Sequence, residues 1–357
     1  MSLTRCSKCL LPSTRPDTAF VEETCSACVA YEQRKEIDWD ARKDALIQIL
    51  DRAAPNASGY DCIVPSSGGK DSFWQALTLL ELGARPLAVT ATTCHLTSIG
   101  RRNIDNMARY VDTVEITPNK TVRAKLNRLS LEMVGDLSWP EHTSIHTVPF
   151  RIAHQMGINL VFFGENPLNQ YGAPSAEHQA EQRMTRRWVS EFGGFLGLRP
   201  MDFVGMEGIT EKDMLAYCGP TDAQLNESGV EVYFLGQYLP WDSHANAEVA
   251  HEHGMVIPMM PPSRRNWWHA ENLDSYQTGI HDFLMQAKYG YGRACAQMSV
   301  DIRRGDYTRE DLVGKMEKME GFYPEEYLDL SIDDILAPIG LTRERFDEIV
   351  EEYTACP

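Results

Sequence analysis

The sequence predicts an α/β protein built on a parallel sheet, with an N-terminal four-Cys zinc ribbon and a helical C-terminal region. Three observations predict it. Four of the nine cysteines sit as Cys6-x2-Cys9 and Cys25-x2-Cys28, the spacing of two turns that each present two thiolates to one tetrahedral metal. Between residues 61 and 163 short apolar runs alternate with helical segments, the pattern of βαβ units. From about residue 173 the alternation weakens, and 241–357 reads as mostly helical, with Pro or Gly between segments.

Residues 1–38 form the expected ribbon. Four Cys ligands close the coordination sphere and leave no position for a water nucleophile, so the zinc reads as structural; a redox dithiol pair is the other reading of two C-x-x-C motifs. The remaining thiols, Cys62, Cys94, Cys218, Cys295 and Cys356, are scattered. The amphipathic stretch from Trp39 to Arg52, with Ala45, Leu46, Ile49 and Leu50 on one face, predicts a linking helix within 39–56. Pro55-Asn56-Ala57-Ser58-Gly59 then breaks it, and a sheet domain is expected over 57–240. Within it the pattern gives strand 61–65, helix 72–82, strand 86–92, helix 99–110, strand 112–116, helices 120–135 and 146–156, and strand 159–163. In such sheets ligands sit in the crevice at the carboxyl ends of the strands.

The first strand end carries Ser66-Ser67-Gly68-Gly69-Lys70-Asp71-Ser72. A buried strand that turns through two glycines into a helix leaves backbone N–H groups bare at the positive end of the helix dipole, which makes an anion site. Gly68 and Gly69 let the backbone approach a phosphate, and Ser66, Ser67 and Ser72 surround it with hydroxyls. Lys70 supplies a counter-charge and Asp71 a ligand for Mg²⁺. This is not a Walker P-loop, because Asp71 stands where that motif has Ser or Thr and Val64 where it has its first Gly.

At the second strand end, Thr90 and Thr92 are candidates for the nucleotide base and ribose. His95 follows as either a site residue or a hydrogen-bonded structural one. Arg101 and Arg102 read as a solvated face or as a phosphate contact. The third strand end is Gly164-Glu165-Asn166-Pro167. Glu165 reads as a second carboxylate for Mg²⁺ or substrate, or as a helix N-terminal charge.

In the second half, a helical run is expected over 177–192 and a strand over 232–235. The strand leads to Pro240-Trp241-Asp242, where an aromatic face beside an acid suits sugar recognition, as it also suits a packed aromatic turn. His251-Glu252-His253 reads as a helix end, since His residues two apart on a helix do not face one ligand. A helix is expected from Asn272 to Tyr289. On it His281-Asp282 is either a base with its acid or a structural pair, and Arg293 beyond the Gly-rich turn is a candidate carboxylate or phosphate clamp. Helices near 307–320, 331–337 and 341–353 close the chain.

The loop resembles the S-G-G-x-D-S loop of the PP-loop ATP pyrophosphatases, which have an adenine nucleotide alpha hydrolase-like, Rossmann-like fold and cleave ATP between the α and β phosphates. Together with the ribbon, Gly164-Glu165-Asn166-Pro167 with Tyr171-Gly172, Pro240-Trp241-Asp242, Thr278-Gly279-Ile280-His281-Asp282 and Lys288-Tyr289-Gly290-Tyr291-Gly292-Arg293-Ala294, it is similar to the N-acetyl sugar amidotransferases of lipopolysaccharide and flagellar-glycan biosynthesis. The resemblance implies ATP and Mg²⁺ as cofactors, and adenylation of an acetamido oxygen followed by displacement of AMP by ammonia. It places Lys70, Asp71, Glu165, His281 and Asp282 in catalysis and Asn166, Tyr171, Trp241, Asp242 and Arg293 at the sugar. None of the nine cysteines sits in a G-x-C-x-G elbow, and the sequence begins Met1-Ser2-Leu3 where a class II glutaminase needs an amino-terminal Cys, so a separate class I glutaminase subunit is the expected partner.

The net charge of −17 and pI near 5.0 argue against a general nucleic-acid binder. The absence of an 18-residue apolar run argues against a membrane span, and cytoplasm is the expected location. The other enzymatic reading is a tRNA-modifying enzyme with the same loop, for which Cys94 would be the sulfur carrier. A non-catalytic ATP-binding scaffold is the third.

Overall fold

The computed structural model describes residues 3–53, 56 and 58–354; Met1, Ser2, Pro55 and Ala57 of the expected break, and Cys356 lie outside them. Five strands build one all-parallel sheet: β1 (Cys62–Pro65), β2 (Pro86–Ala91), β3 (Asp112–Ile116), β4 (Leu160–Phe163) and β5 (Glu231–Phe234), in the order β3-β2-β1-β4-β5. Ile63 of β1 pairs with Leu87 of β2 and Val161 of β4. The order reverses direction between β1 and β4. That is the switch point where the loops after neighbouring strands part and leave a crevice.

Alternation of side chains sends each strand into two cores. Ile63, Leu87, Val89, Val161 and Phe234 pack beneath Val148 and Ile152 of the helix Trp139–Met156. Cys62, Val64, Leu160 and Phe162 pack on the other face against Leu46, Ile49 and Leu79, from the helices Trp39–Leu50 and Lys70–Glu81. The expected strands and the first helices stand within a few residues of these bounds. The helix expected at 146–156 instead begins at Trp139, because Pro140 in the first turn forfeits no hydrogen bond, and it continues through Pro149.

The helical run expected over 177–192 is two short helices, Ala176–Ala180 and Arg186–Phe192, with an extended segment between them. That segment runs antiparallel along the open edge of β5, where Met184 N donates to Val232 O and Phe234 N donates to Gln182 O. The unpaired edge of β5 outcompetes the helical propensity of Glu and Gln. The expected helix 272–289 starts only at Thr278, since 270–274 is drawn out over the crevice.

At the amino end, a hairpin of Phe20–Val21 with Thr24–Cys25 leads straight into the helix Ser26–Gln33. The ribbon is clamped to the last third of the chain: Arg309 Nε donates to the carbonyls of Cys6 and Cys9, and Leu10 N donates to Ser299 Oγ at 3.2 Å. Leu10 packs with Cys295, Met298, Leu312 and Met316, on the helices Arg293–Arg304 and Arg309–Glu320. Among the described residues no helix is long and apolar enough to cross a membrane.

Candidate functional site

The loop after β1 is built by its own side chains. Ser66 Oγ accepts from Gly68 N at 3.1 Å and donates to Ser72 Oγ, while Ser72 Oγ donates to Gly69 O at 3.0 Å. Ser66 and Ser72 are buried and hold the turn, and Ser67 is the exposed hydroxyl. Gly68 has φ +77°, and a Cβ there would lie 2.6 Å from Ile104 N, so glycine is required by both conformation and space. The helix Lys70–Glu81 then presents its first amides to the crevice.

Lys70, 5% exposed, places Nζ 2.7 Å from Asp71 Oδ2. Burial works against its charge, but Asp71 and Glu271 outweigh it and raise its pKa. Asp71 Oδ1 in turn accepts from Asn246 Nδ2 at 3.0 Å. Asn246 is buried on the helix Ser243–Glu252, and neither it nor Glu271 is marked by any local motif.

A cavity of about 300 Å³ opens over this loop, walled by the end of β4 and by 270–274. Asp71, Glu141, Glu165, Glu271 and Asp274 face it, against Lys70 as its cation. Burial, with Asp71 close by, pushes the Glu165 carboxyl up to about 7, and burial pushes Asp274 up to about 6. A polyphosphate enters such a wall only with a divalent cation to offset it. Asp71 and Glu165 are the carboxylates next to the loop that would hold Mg²⁺, whose contribution would be to neutralise charge on a departing pyrophosphate.

The sequence placed Thr90 and Thr92 at the nucleotide, one step out of phase with the pleat. Val89, Ala91 and Thr93 line the cavity, whereas Thr90 is buried and Thr92 Oγ1 donates to Glu115 Oε1 at 2.7 Å on the far face. Thr93 Oγ1 and Gln75 Oε1 line the cavity with no partner among the described residues. Arg101 is taken by Asp105 and Glu115, which is the solvated-face reading. Gly164 lies against Trp241, whose ring a Cβ would meet at 2.8 Å.

A second cavity of about 330 Å³ lies on the other side of Glu165, between the ribbon and the end of β5, and holds Asn166, Trp241 and Asp242. Asn166 caps the helix Pro167–Tyr171, with Oδ1 accepting from Leu168 N. Asp242 caps the helix after it, with Oδ1 accepting from His244 N and Ala245 N, and its other oxygen pairs with Arg304. Tyr171 and Arg293 do not line either cavity. Arg293 is locked bidentately on Asp282, at 2.7 Å from Nη2 and 3.1 Å from Nε. His281 faces a third hollow, where Nδ1 meets Asp136 Oδ1 at 2.9 Å and the ring stands edge-on to His142. The structure therefore separates His281 and Asp282 from Lys70, Asp71 and Glu165, which it brings together.

The four ribbon thiols converge, with all Sγ atoms within 4.8 Å of one another, and with 3.8 Å between Cys6 and Cys28 and 3.6 Å between Cys9 and Cys25. A tetrahedron with arms of about 2.3 Å has edges of about 3.8 Å, so the cage fits zinc.

Residues 269–356 match a known family, described as LPS biosynthesis protein WbpG-like, C-terminal domain. The matched segment begins at the wall 270–274 of the first cavity and includes His281, Arg293, Arg303 and Arg304. No curated protein matches the chain.

Proposed function

We propose that the protein is an ATP-dependent amidotransferase that converts the acetamido group of an N-acetyl sugar into an acetamidino group during surface-glycan assembly. The observation that carries the reading is the position of Glu165. It stands beside the phosphate-binding loop at the switch point and lines both cavities, so a nucleotide in one and a sugar in the other would meet at a single carboxylate. The similarity of residues 269–356 to an LPS biosynthesis family supports glycan chemistry.

In this reading ATP lies over the loop with its phosphates on the Gly68–Ser72 amides and Lys70. The sugar amide oxygen attacks the α-phosphorus, pyrophosphate leaves, and an O-adenylyl imidate forms. Ammonia from a separate glutaminase adds to the imidate carbon, AMP departs with the former amide oxygen, and Glu165 takes the proton that nitrogen sheds. The catalysis is one of position and charge stabilisation, with no covalent enzyme intermediate.

The test is product analysis with Mg²⁺-ATP, ammonium and a panel of acetamido sugars. Sugar-dependent AMP and pyrophosphate, with a product carrying NH in place of O, are expected. AMP that appears only with bulk tRNA, or with no acceptor in the panel, would overturn the reading.

A further inference from the structure

The second cavity gathers four cationic side chains of an otherwise acidic protein. Arg34, Lys35, Arg303 and Arg304 line it with Glu165 and Asp242. Lys35 is paired with Glu32 and Arg304 with Asp242 and Asp306, which leaves Arg34 and Arg303 as the two guanidinium groups without a carboxylate among the described residues. Two of these cations come from the ribbon side. Arg34 lies between the rings of Tyr31 and Trp39, at 5.5 and 5.8 Å, and donates to the carbonyl of Trp241 at 2.9 Å instead of to a carboxylate. Arg303 donates to Gln170 O at 2.6 Å and to Cys9 Sγ at 3.7 Å, so one guanidinium touches the thiol cage and lines the cavity. A second, independent feature is the Trp241 indole. The residue is 8% exposed, and its Nε1 has no acceptor among the described residues. Arg34 and Arg303, which meet no carboxylate among the described residues, and the bare buried Trp241 donor call for acceptor oxygens from a ligand, while the unpartnered Gln170 Oε1 in the same lining is open to a ligand hydroxyl.

We propose that this cavity is an anion-binding site, formed jointly by the zinc ribbon and the helix Arg293–Arg304, that holds the phosphate or carboxylate of the acceptor sugar and directs its acetamido end past Trp241 to Glu165. The assignment rests on the amidotransferase reading for the identity of the ligand, and on the residues above for its charge. It gives the ribbon a part in binding. The ribbon's metal fixes Cys9, and through it Arg303, so removal of the metal loosens the anion site while the loop after β1 stays intact.

The experiment is a set of calorimetric titrations of the full-length, zinc-loaded protein with N-acetylglucosamine 1-phosphate, N-acetylglucosaminuronate and neutral N-acetylglucosamine. At least one anionic sugar is expected to bind ten-fold or more tightly than the neutral one, and which of them does so distinguishes phosphate from carboxylate. Arg34→Gln and Arg303→Gln are expected to lower that affinity ten-fold or more without changing the affinity for Mg²⁺-ATP, and chelation of the zinc is expected to do the same. ATP affinity doubles as the control for folding; should Arg303→Gln fail it, Arg34→Gln decides alone. Equal binding of the three sugars would overturn the proposal, as would anion binding that survives Arg34→Gln but is lost in Lys70→Met. If the anion binds as expected but no acetamido sugar supports AMP formation, the site stands and the amidotransferase reading falls.

Discussion

Asn246 Nδ2 donates to Asp71 Oδ1 at 3.0 Å, joining residues 175 positions apart. The remaining Asp71 oxygen meets Lys70, so the carboxylate is oriented from both sides before any ligand arrives. Removing a partner that orients a metal-binding group typically weakens metal affinity about ten- to a hundred-fold. Asn246→Ala is expected to raise the Mg²⁺ requirement for AMP formation by that factor while leaving Tm nearly unchanged. An unaltered Mg²⁺ titration would remove Asn246 from the site.

Gly68→Ala forces a Cβ onto the backbone of Ile104 in a left-handed conformation. The conformation alone costs about 1–2 kcal/mol, and the clash moves the loop away from the helix Ser98–Met107. ATP affinity is expected to fall by at least about ten-fold, whereas Gly69→Ala, with φ −79° and its nearest contact at 3.4 Å, is expected to be mild. Titration of both variants with ATP separates the two glycines.

Glu165 holds its proton more tightly in the fold than in the unfolded chain, from 4.5 up to about 7. Its contribution to stability is therefore fully present below about pH 4.5 and is lost as pH rises through about 7. Glu165→Gln is expected to flatten the fall in Tm across that window. If Glu165 is also the base, the amination rate of the wild type climbs through the same window, and the variant loses that climb.

His281 shows the opposite chemistry with the same sign. Burial disfavours its charge, but Asp136 outweighs burial and raises the His281 pKa, and despite its own burial Asp136 is drawn well below the usual carboxylate range by His281. A raised histidine stabilises the fold below its unfolded pKa of about 6.5 and stops doing so as pH rises past its folded value. His281→Gln is expected to lower Tm more at pH 6 than at pH 9, with ammonia-dependent AMP formation retained. A complete loss of activity at unchanged Tm would return His281 to the chemistry.

What could be read from the chain follows the range of the forces involved. The strands of the sheet were legible because Ile63, Val64, Val89 and Val161 lie in short apolar runs bounded by turn residues, and the loop was legible because glycines and charges at a strand end are local chemistry. The phase of Thr90 and Thr92 was not, since a strand buried on both faces shows no alternation to fix which side chain faces the crevice. Glu271 and Asn246 reach the site only through tertiary packing. The helix Arg293–Arg304 was not legible because its buried face mixes Cys295 and Met298 with Gln297, Ser299 and Asp301, so apolar periodicity alone does not mark it. The last three are held by polar contacts, with Trp267 Nε1 and Trp268 Nε1 both donating to Asp301.

The clamp between the ribbon and the arginines near residue 300 sets an order of events during synthesis. Cys6 and Arg309 are 303 residues apart, and at ordinary elongation rates of about 5–20 residues per second the ribosome needs roughly 15–60 s to cover that distance. From the synthesis of Cys28 onward, which is most of that interval, the four thiols exist while the surface that will bury them does not. The cage is then open to solvent and to any metal it takes up, and the helix Arg293–Arg304 later covers it. Metal supplied during translation should therefore be retained far better than metal offered to the finished chain.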